Sequence, residues 1–274
     1  MSFIPGKRFP AISITGSRCE LGCPHCSGRP LASMLSADTP EKLLAVASRL
    51  EASGALGFLL SGGCDLTGAL PIRPFLRAIT AIKDAGHLKI NAHVGYPRAE
   101  DAEGLVSSGI DAFSLNFPIN DDVGLRIMRT PNAVQRYFEA RDSLERAGAP
   151  RVVPHVLIGL ADIEEEIAGL RMFQQCPPKG IVVITFNPIP NTPMRASPPA
   201  DEMHIIEFLS RCREILPETK IVLGCMRKRG NHSLERYLMG NSVDGIVLPS
   251  KRAMEGVRET VEIEEFEGCC ALYL

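Results

Sequence analysis

Residues 181–186 read IVVITF and residues 201–216 read DEMHIIEFLSRCREIL, so a short apolar run is followed by a longer amphipathic stretch. The first run does not alternate with polar residues, which predicts a strand that is covered on both faces. The second run has apolar residues three and four positions apart, which predicts a helix. Such a strand–helix pair is the repeating unit of a parallel sheet.

The same pair recurs along the chain, and it predicts the fold class. Predicted strands cover 11–15, 57–60, 89–94, 112–117, 152–158, 181–186, 221–223 and 245–247, and predicted helices cover 39–53, 73–85, 99–108, 132–147, 164–175, 201–216, 233–239 and 251–259. Eight such units predict an α/β fold, a (β/α)8 TIM-like barrel, for which 274 residues is an ordinary length. We assign 1–260 to the barrel and 261–274 to a C-terminal tail that closes the barrel mouth. Functional residues are expected on the loops that follow the strands.

Composition limits the class of partner. The net charge is −2, so there is no general basic field to attract nucleic acid. The first ten residues lack the apolar core of a signal peptide, and no run of about 18 apolar residues predicts a membrane span. We therefore expect a cytoplasmic protein without membrane or nucleic-acid partners, whose nine cysteines are ligands or core residues.

Three cysteines follow the first predicted strand. The segment 19–26 reads CELGCPHC, with Cys19, Cys23 and Cys26 on one short loop. Thiolates are the usual ligands of iron–sulfur clusters, and three of them leave one metal position open for chemistry. A zinc site completed by His25 is the alternative, but zinc ligands usually form two separated pairs and no matching second pair is present.

This Cys-x3-Cys-x2-Cys spacing after the first strand of a βα barrel resembles the signature of the radical S-adenosylmethionine (SAM) superfamily. The resemblance implies a [4Fe–4S] cluster on the three cysteines, with SAM bound to its fourth iron and cleaved to a 5′-deoxyadenosyl radical. It also implies SAM contacts from the glycine-rich turn after the second strand, from polar residues of the fourth strand, from the fifth strand and from an aromatic ring near the third cysteine. The matching positions are Ser61, Gly62, Gly63, Ser114, Asn116, Ile158 and His25.

The other cysteines suggest a second cluster. Cys64 follows the second predicted strand, Cys225 follows the seventh, and Cys269 and Cys270 end the tail. Loops at one end of a barrel face a common cavity, so these four thiols are candidates to bind an auxiliary [4Fe–4S] cluster. Cys176 and Cys212 fall in or beside predicted helices and are assigned to the core.

The segments LGCMR at 223–227 and NPIPNTP at 187–193, with the Cys-Cys end, resemble the biotin-synthase-related branch of the superfamily. They resemble in particular the second subunit of the two-component lipoyl synthase. This implies sulfur insertion into an octanoyl-lysine carrier, a lipoyl domain or glycine-cleavage H protein. The implied partners are a biotin-synthase-like subunit and a low-potential donor such as ferredoxin or flavodoxin. Arg227 lies near the place of a cluster-binding arginine of biotin synthase.

Two other functions remain open from the sequence. One is another biotin-synthase-like radical SAM reaction on a small molecule, either a carbon-skeleton rearrangement or a sulfur insertion. The other is a non-catalytic iron–sulfur or zinc module. The segment Glu164-Glu165-Glu166 is interpreted as a solvated helix start, favoured by the helix dipole. His93 and His155 lie in predicted strands and are assigned to the core or to the cavity lining.

Overall fold

The computed structural model describes residues 1–258, 260 and 262–274, so the predicted helix end at Glu259 and the first tail residue, Val261, lie outside the described residues. The described strands form one sheet in which every neighbouring pair is parallel. They are β1 (Ser2–Phe3), β2 (Ala11–Ser13), β3 (Leu35–Ser36), β4 (Gly57–Ser61), β5 (Lys89–His93), β6 (Ala112–Phe117), β7 (Val152–Ile158), β8 (Gly180–Thr185), β9 (Lys220–Leu223), β10 (Gly245–Val247) and β11 (Glu265–Phe266).

The strand order is β11-β1-β10-β9-β8-β7-β6-β5-β4-β2-β3. The eight predicted strands are β2 and β4 to β10, and each lies beside its neighbour in the chain. The α/β, TIM-like fold class is therefore confirmed. Within the described residues the sheet is curled but open, because β3 and β11 form its two ends. The strands β1, β3 and β11 have two residues each, which is too short to leave a periodic pattern in the sequence.

Helices cover the outer face of the sheet. They are α1 (Pro40–Ala52), α2 (Leu76–Ala85), α3 (Ala99–Ser107), α4 (Asp121–Arg126), α5 (Ala133–Arg146), α6 (Ile163–Arg171), α7 (Glu202–Ile215), α8 (His232–Asn241) and α9 (Lys251–Arg258). The helix α1 shows why they form where they do. The Thr39 side chain accepts a hydrogen bond from the amide of Lys42, and Pro40 occupies the first turn, where its missing N–H costs nothing. The short α4 was not predicted.

The strands separate an outer core from an inner layer. On β6, Phe113, Leu115 and Phe117 are fully buried against the helices, so Ser114 and Asn116 face the barrel interior. The inner layer at the amino ends of the strands is apolar and includes Phe3, Ala112, Val153, Val182, Val222 and Val247. The interior is therefore apolar at one end and polar above it.

The tail packs at the apolar end of the barrel, whereas the sequence suggested that it closes the mouth. Cys270, Ala271 and Leu274 are buried in the inner apolar layer. Leu274 lies against Gly180, where an added Cβ would come within 2.8 Å of its side chain. Gly180 begins β8, so the tail covers the amino ends of the strands. Apolar burial explains the difference, because residues 269–274 at the end of the tail are mostly apolar and the mouth is polar.

The assignment of 1–260 and 261–274 to separate units stays a prediction. In the described part of the chain, no helix is both long enough and apolar enough to span a bilayer.

Candidate active site

The cysteine loop follows β2 and turns tightly on itself. The amides of Cys26 and Ser27 both donate to the carbonyl oxygen of Cys23, at 3.1 and 2.7 Å. Gly22 and Ser27 have positive φ values of 52° and 46° on either side of this turn. Cys23 is buried, whereas Cys19 and Cys26 are partly exposed. The turn thus brings the side chains of Cys23 and Cys26 together at the mouth of the barrel.

The thiols of this loop differ in acidity. The hydrogen bond with Cys23, aided by His25, lowers the pKa of Cys26 to about 4. The same bond, together with burial, raises the pKa of Cys23 far above its usual range. Burial works to lower the pKa of His25, but its hydrogen bond to Cys26 outweighs burial and the pKa is raised. A thiolate at Cys26 is a favourable starting state for binding a cationic iron centre.

The turn after β4 packs directly onto this loop. A Cβ on Gly63 would lie 2.0 Å from the carbonyl oxygen of Arg18 and 2.5 Å from the Cβ of Cys19. The Gly63 amide donates to Thr15 Oγ1 at 2.7 Å, and the Thr15 hydroxyl in turn donates to the Arg18 carbonyl at 2.9 Å. Only glycine fits at this contact. The structure therefore places the turn of Ser61, Gly62 and Gly63 beside the cysteine loop, and its contact with SAM stays a prediction.

Cys64 belongs to this first group and not to the second. Its backbone carbonyl accepts the amide of Glu20 at 3.0 Å. Burial and the charges of Cys19 and Asp65 raise the pKa of Cys64 to about 12, so it stays a thiol in the folded protein. The structure thus separates Cys64 from the tail cysteines with which the sequence grouped it. The reason is that its loop lies beside the cysteine loop in the sheet, where β2 pairs with β4.

The polar residues of β6 have different accessibility. Asn116 is exposed to the cavity, and its carbonyl accepts the hydroxyl of Tyr96 at 2.8 Å. Ser114 is 1% exposed and donates to Asn91 Oδ1 at 2.9 Å. Asn116 is thus open to a ligand at the mouth, whereas Ser114 lies deeper in the barrel with its hydroxyl already bonded.

The side chains at the end of β7 alternate between the core and the cavity. Ile158 is fully buried in the core between sheet and helices, and Leu157 lies on the opposite, inner face with Met128 and Phe186. Strand alternation therefore turns the Ile158 side chain away from the cavity, and the contact of this segment with SAM stays a prediction.

Glu166 holds the loop after β7 and was missed by the sequence analysis. It is fully buried rather than solvated. Its Oε1 accepts the amides of Gly159, Leu160 and Ala161 at 2.7, 3.0 and 3.2 Å, and Oε2 lies 2.6 Å from His204 Nε2. Three acidic residues in a row conceal this role, since only one of them points inward. The signal available in the sequence was the glycine seven residues before Glu166.

A second cysteine group is formed by the loop after β9 and the tail, with Cys225 exposed, Cys269 partly exposed and Cys270 buried. Cys225 follows β9, and it lies close enough to Cys269 for the charges of the two thiols to interact. Burial raises the pKa of Cys225, and the Cys269 charge adds to this effect. Cys270 interacts in the same way with both. The structure therefore brings together three of the four predicted auxiliary ligands: Cys225, Cys269 and Cys270.

Arg227 has a structural role. It is 8% exposed and pairs with Glu235 at 2.8 Å. Its Nη1 donates to the carbonyls of Gly224 and Val247 at 2.8 and 2.7 Å. These bonds occupy Nη1 and Nη2, whereas Nε is buried without a partner, so Arg227 joins β9, β10 and α8 through its two terminal nitrogens.

Two histidines line the interior between the cysteine groups. The rings of His93 and His155 are 4.7 Å apart, edge to face. Burial lowers the pKa of His93 to about 3 and that of His155 to about 4. Both imidazoles are therefore neutral at physiological pH, which places uncharged polar groups at the centre of the cavity.

The donor set fits an iron–sulfur cluster better than a single ion. Among the described residues, no group of three or more His, Cys, Asp or Glu side chains is arranged to hold one metal ion. The nitrogen His25 Nδ1 lies 3.2 Å from the carbonyl oxygen of Ile127, a contact that orients the ring. The three thiols of Cys19, Cys23 and Cys26 lie on one loop, and Gly63 of the neighbouring turn packs closely against it. This arrangement suits a bulky thiolate-bound centre.

Comparisons with known proteins agree with this site. The sequence model of the radical SAM superfamily matches residues 13–171, a span that includes the cysteine loop and the end of β7. A biotin synthase of Wolinella succinogenes is 24% identical over 258 residues, covering 92% of this chain and 91% of that protein. A biotin synthase of Halorhodospira halophila is 23% identical over 248 residues, covering 86% and 74%.

Solved structures show the same fold. The methylornithine synthase PylB superposes with a TM-score of 0.66 at 19% identity, covering 92% of this chain and 73% of that one. The FeFe-hydrogenase maturase HydG of Carboxydothermus hydrogenoformans gives 0.67 at 18% identity, covering 97% and 62%. A second HydG structure is covered over 56% of its length, so this chain spans little more than half of that protein.

Proposed function

Because this chain belongs to the radical SAM superfamily and is related to biotin synthases, we propose that it is a sulfur-inserting enzyme, a component of lipoyl synthase. The observation that carries the proposal is the second cysteine group, in which Cys225 lies close enough to Cys269 for the charges of the two thiols to interact. A radical SAM enzyme needs no second group to cleave SAM. A second thiol group in the same cavity suits an enzyme that must also supply sulfur.

We assign distinct roles to the two groups. Cys19, Cys23 and Cys26 would hold the [4Fe–4S] cluster that binds SAM, and Cys225 with at least one thiol of the Cys269–Cys270 pair would hold an auxiliary cluster. Once bound, the first would supply a 5′-deoxyadenosyl radical that removes a hydrogen atom from a C–H bond, and the second would supply the sulfur.

The chain's own contribution is positioning. Gly63 lets the turn after β4 approach the cysteine loop, and Glu166 fixes the loop after β7 that carries amides toward the same mouth. Asn116 offers a polar side chain there. His93 and His155 present neutral polar groups deeper in the cavity. Hydrogen abstraction requires the substrate carbon close to the radical, so these rigid contacts matter more than an acid or a base.

The proposed substrate is an octanoyl group on a lysine of a carrier protein, a lipoyl domain or glycine-cleavage H protein. Lys228 and Arg229 are exposed on the loop after β9 beside the cavity, and they suit the approach of an acidic carrier. We propose that a biotin-synthase-like subunit inserts the other sulfur, and that ferredoxin or flavodoxin supplies electrons. A cytoplasmic location remains an expectation.

The decisive experiment follows an octanoyl-lysine peptide by mass spectrometry after anaerobic turnover, with and without the partner subunit. We expect a singly thiolated peptide with this chain alone and a doubly thiolated one with both. The variant Cys225→Ala should still form 5′-deoxyadenosine but yield no thiolated product, and Cys176→Ala, at an exposed cysteine away from the cavity, serves as control. Absence of thiolated peptide with active partner would contradict the lipoyl assignment.

A second candidate is sulfur insertion into a small molecule, which the named relatives favour because both are biotin synthases. Incubation with dethiobiotin in place of the peptide separates the two. A carbon-skeleton rearrangement would need one cluster only, so about four irons per chain would favour it over sulfur insertion. A non-catalytic module would form no 5′-deoxyadenosine from SAM.

A further inference from the structure

The tail thiols meet a buried polar pair on the barrel wall. Asn91 on β5 is fully buried, and its Nδ2 donates to the sulfur of Cys269 at 3.2 Å. Its Oδ1 accepts the hydroxyl of Ser114, on the neighbouring β6, at 2.9 Å. Because the hydroxyl holds the oxygen of the amide, the amide nitrogen is directed at the sulfur.

The two tail cysteines are not equivalent. Besides Asn91, Cys269 receives hydrogen bonds from the thiol of Cys270 and from the amide of Ala271. Cys270 is 6% exposed among the apolar residues of the inner layer, whereas Cys269 is partly exposed to the cavity. Donors therefore converge on one sulfur and leave the other a thiol.

Burial of the Asn91 side chain lowers the stability of the protein unless its amide group is hydrogen-bonded. An amide buried without partners costs about 1–3 kcal/mol, and a leucine of similar shape would pack there without that cost. Both ends of the Asn91 amide are bonded, one to Ser114 and one to Cys269. A hydrogen bond to a charged acceptor is stronger than one to a neutral acceptor, so the Asn91 amide stabilises the Cys269 sulfur most when that sulfur is negatively charged.

We propose that Asn91, held by Ser114, is a positioning residue that makes Cys269 rather than Cys270 the tail ligand of the auxiliary cluster and raises the reduction potential of that cluster. The proposal rests on the auxiliary cluster of the proposed function. Hydrogen bonds to ligand sulfurs stabilise the more negative, reduced state of a cluster and so raise its potential.

The test measures iron content and the potentials of both clusters by redox titration followed by electron paramagnetic resonance. SAM addition identifies the first cluster, since only its signal should change. We expect Cys269→Ala to lose about half of the iron and Cys270→Ala to retain it. Asn91→Leu should lower the potential of the auxiliary cluster alone, by roughly a tenfold change in its redox ratio, about 59 mV for one electron.

Ser114→Ala provides a gentler variant, because it keeps Asn91 and removes only the hydroxyl that orients it. We expect a smaller shift in the same direction. Ser108→Ala is the matched control: Ser108 is a 2% exposed serine whose hydroxyl donates to the Leu105 carbonyl, and its loss should shift neither potential.

Three results would overturn the inference, and they are distinguishable. Two clusters with Cys270→Ala losing one would reverse the ligand assignment and leave sulfur insertion standing. Two clusters with potentials unchanged in both Asn91→Leu and Ser114→Ala would remove the role of Asn91 alone. A single cluster in the unaltered protein would overturn both the inference and the proposed function.

Discussion

At the scale of single residues, Gly63 determines how closely two loops pack at the mouth, and the buried histidines determine the polarity of the interior. Gly63 marks the closest approach between two loops that both belong to the mouth. His93 and His155 show that the middle of the barrel is polar but uncharged. Substitutions of Gly63 and His155 therefore have expected effects that can be measured on this chain without the partner subunit.

Gly63→Ala should abolish formation of 5′-deoxyadenosine, because its Cβ would overlap the Arg18 carbonyl and displace Cys19. Backbone has to move to relieve such an overlap, so we also expect a loss of about 2–4 kcal/mol in the free energy of unfolding. Product assay after reconstitution and denaturant unfolding of the apo-protein measure the two effects. Gly240→Ala is the control, since an added Cβ there meets nothing within 4 Å. Unimpaired SAM cleavage in Gly63→Ala would contradict the site geometry.

The acid stability of the protein should depend on His155. Its pKa is lowered by burial from 6.5 to about 4, so between these values the unfolded chain binds a proton that the folded chain does not. The contribution of His155 to stability is complete above pH 6.5 and is lost as the pH falls toward 4. We expect His155→Leu to be less acid-sensitive than the unaltered protein, on the order of 2 kcal/mol across that window. Urea unfolding at pH 7 and pH 4.5 measures it, and equal pH slopes would refute it.

At the scale of elements, the loop between β7 and α6 is built around one carboxylate. The Glu166 carboxylate accepts the amides of three loop residues that precede α6, and it joins α6 to α7 through His204. The loop is therefore rigid without regular structure. This rigidity presents its amides at a fixed place on the mouth.

Removal of this carboxylate should loosen both the loop and SAM binding. Glu166→Ala leaves three amides and an imidazole without a partner, and we expect a cost of about 3 kcal/mol in stability. We also expect a several-fold higher KM for SAM, with a smaller change in kcat, since the loop positions the cofactor and does not react. Thermal unfolding and SAM cleavage kinetics measure these effects. Glu164→Ala, at an exposed position of the same helix, should change neither.

At the scale of the whole molecule, the tail extends one end of the sheet and then packs inside the barrel. The strand β11 pairs with β1, which pairs with β10, while the last residues fill the amino end of the barrel. The rings of Phe3, Phe266 and Tyr273 pack together where β11 pairs with β1. The tail thus contributes to the core and also carries Cys269 into the interior.

Leu274→Ala should destabilise the entire barrel. The side chain is 8% exposed and fills space next to Gly180, so its removal leaves a cavity with a cost of about 2–3 kcal/mol. We expect a lower melting temperature and faster loss of the auxiliary cluster than of the first, because the tail holds only the former. Leu66→Ala, at a side chain that is 75% exposed, should leave both unchanged. Simultaneous loss of the two clusters would contradict a separate role for the tail.

The sequence by itself determined the strand–helix repeat, the cysteine loop and the glycine turn that packs against it. These features are recognisable because each depends on residues close together in the chain. Burial periodicity fixes the elements, and three thiols within eight positions need only a local turn to meet. The strand order then follows, since consecutive parallel strands lie side by side.

Only the tertiary structure decided which distant residues share a site. Asn91 and Cys269 are 178 positions apart and meet because the curled sheet closes around the tail. Curling also placed Cys64 with the first cysteine group, turned Ile158 outward and buried Glu166. Such contacts depend on strand register, and a shift of one residue reverses the face on which a side chain lies. The sequence therefore identified the cysteine loop of the radical SAM site. The folded barrel decided which of the other thiols lie together in the second cysteine group.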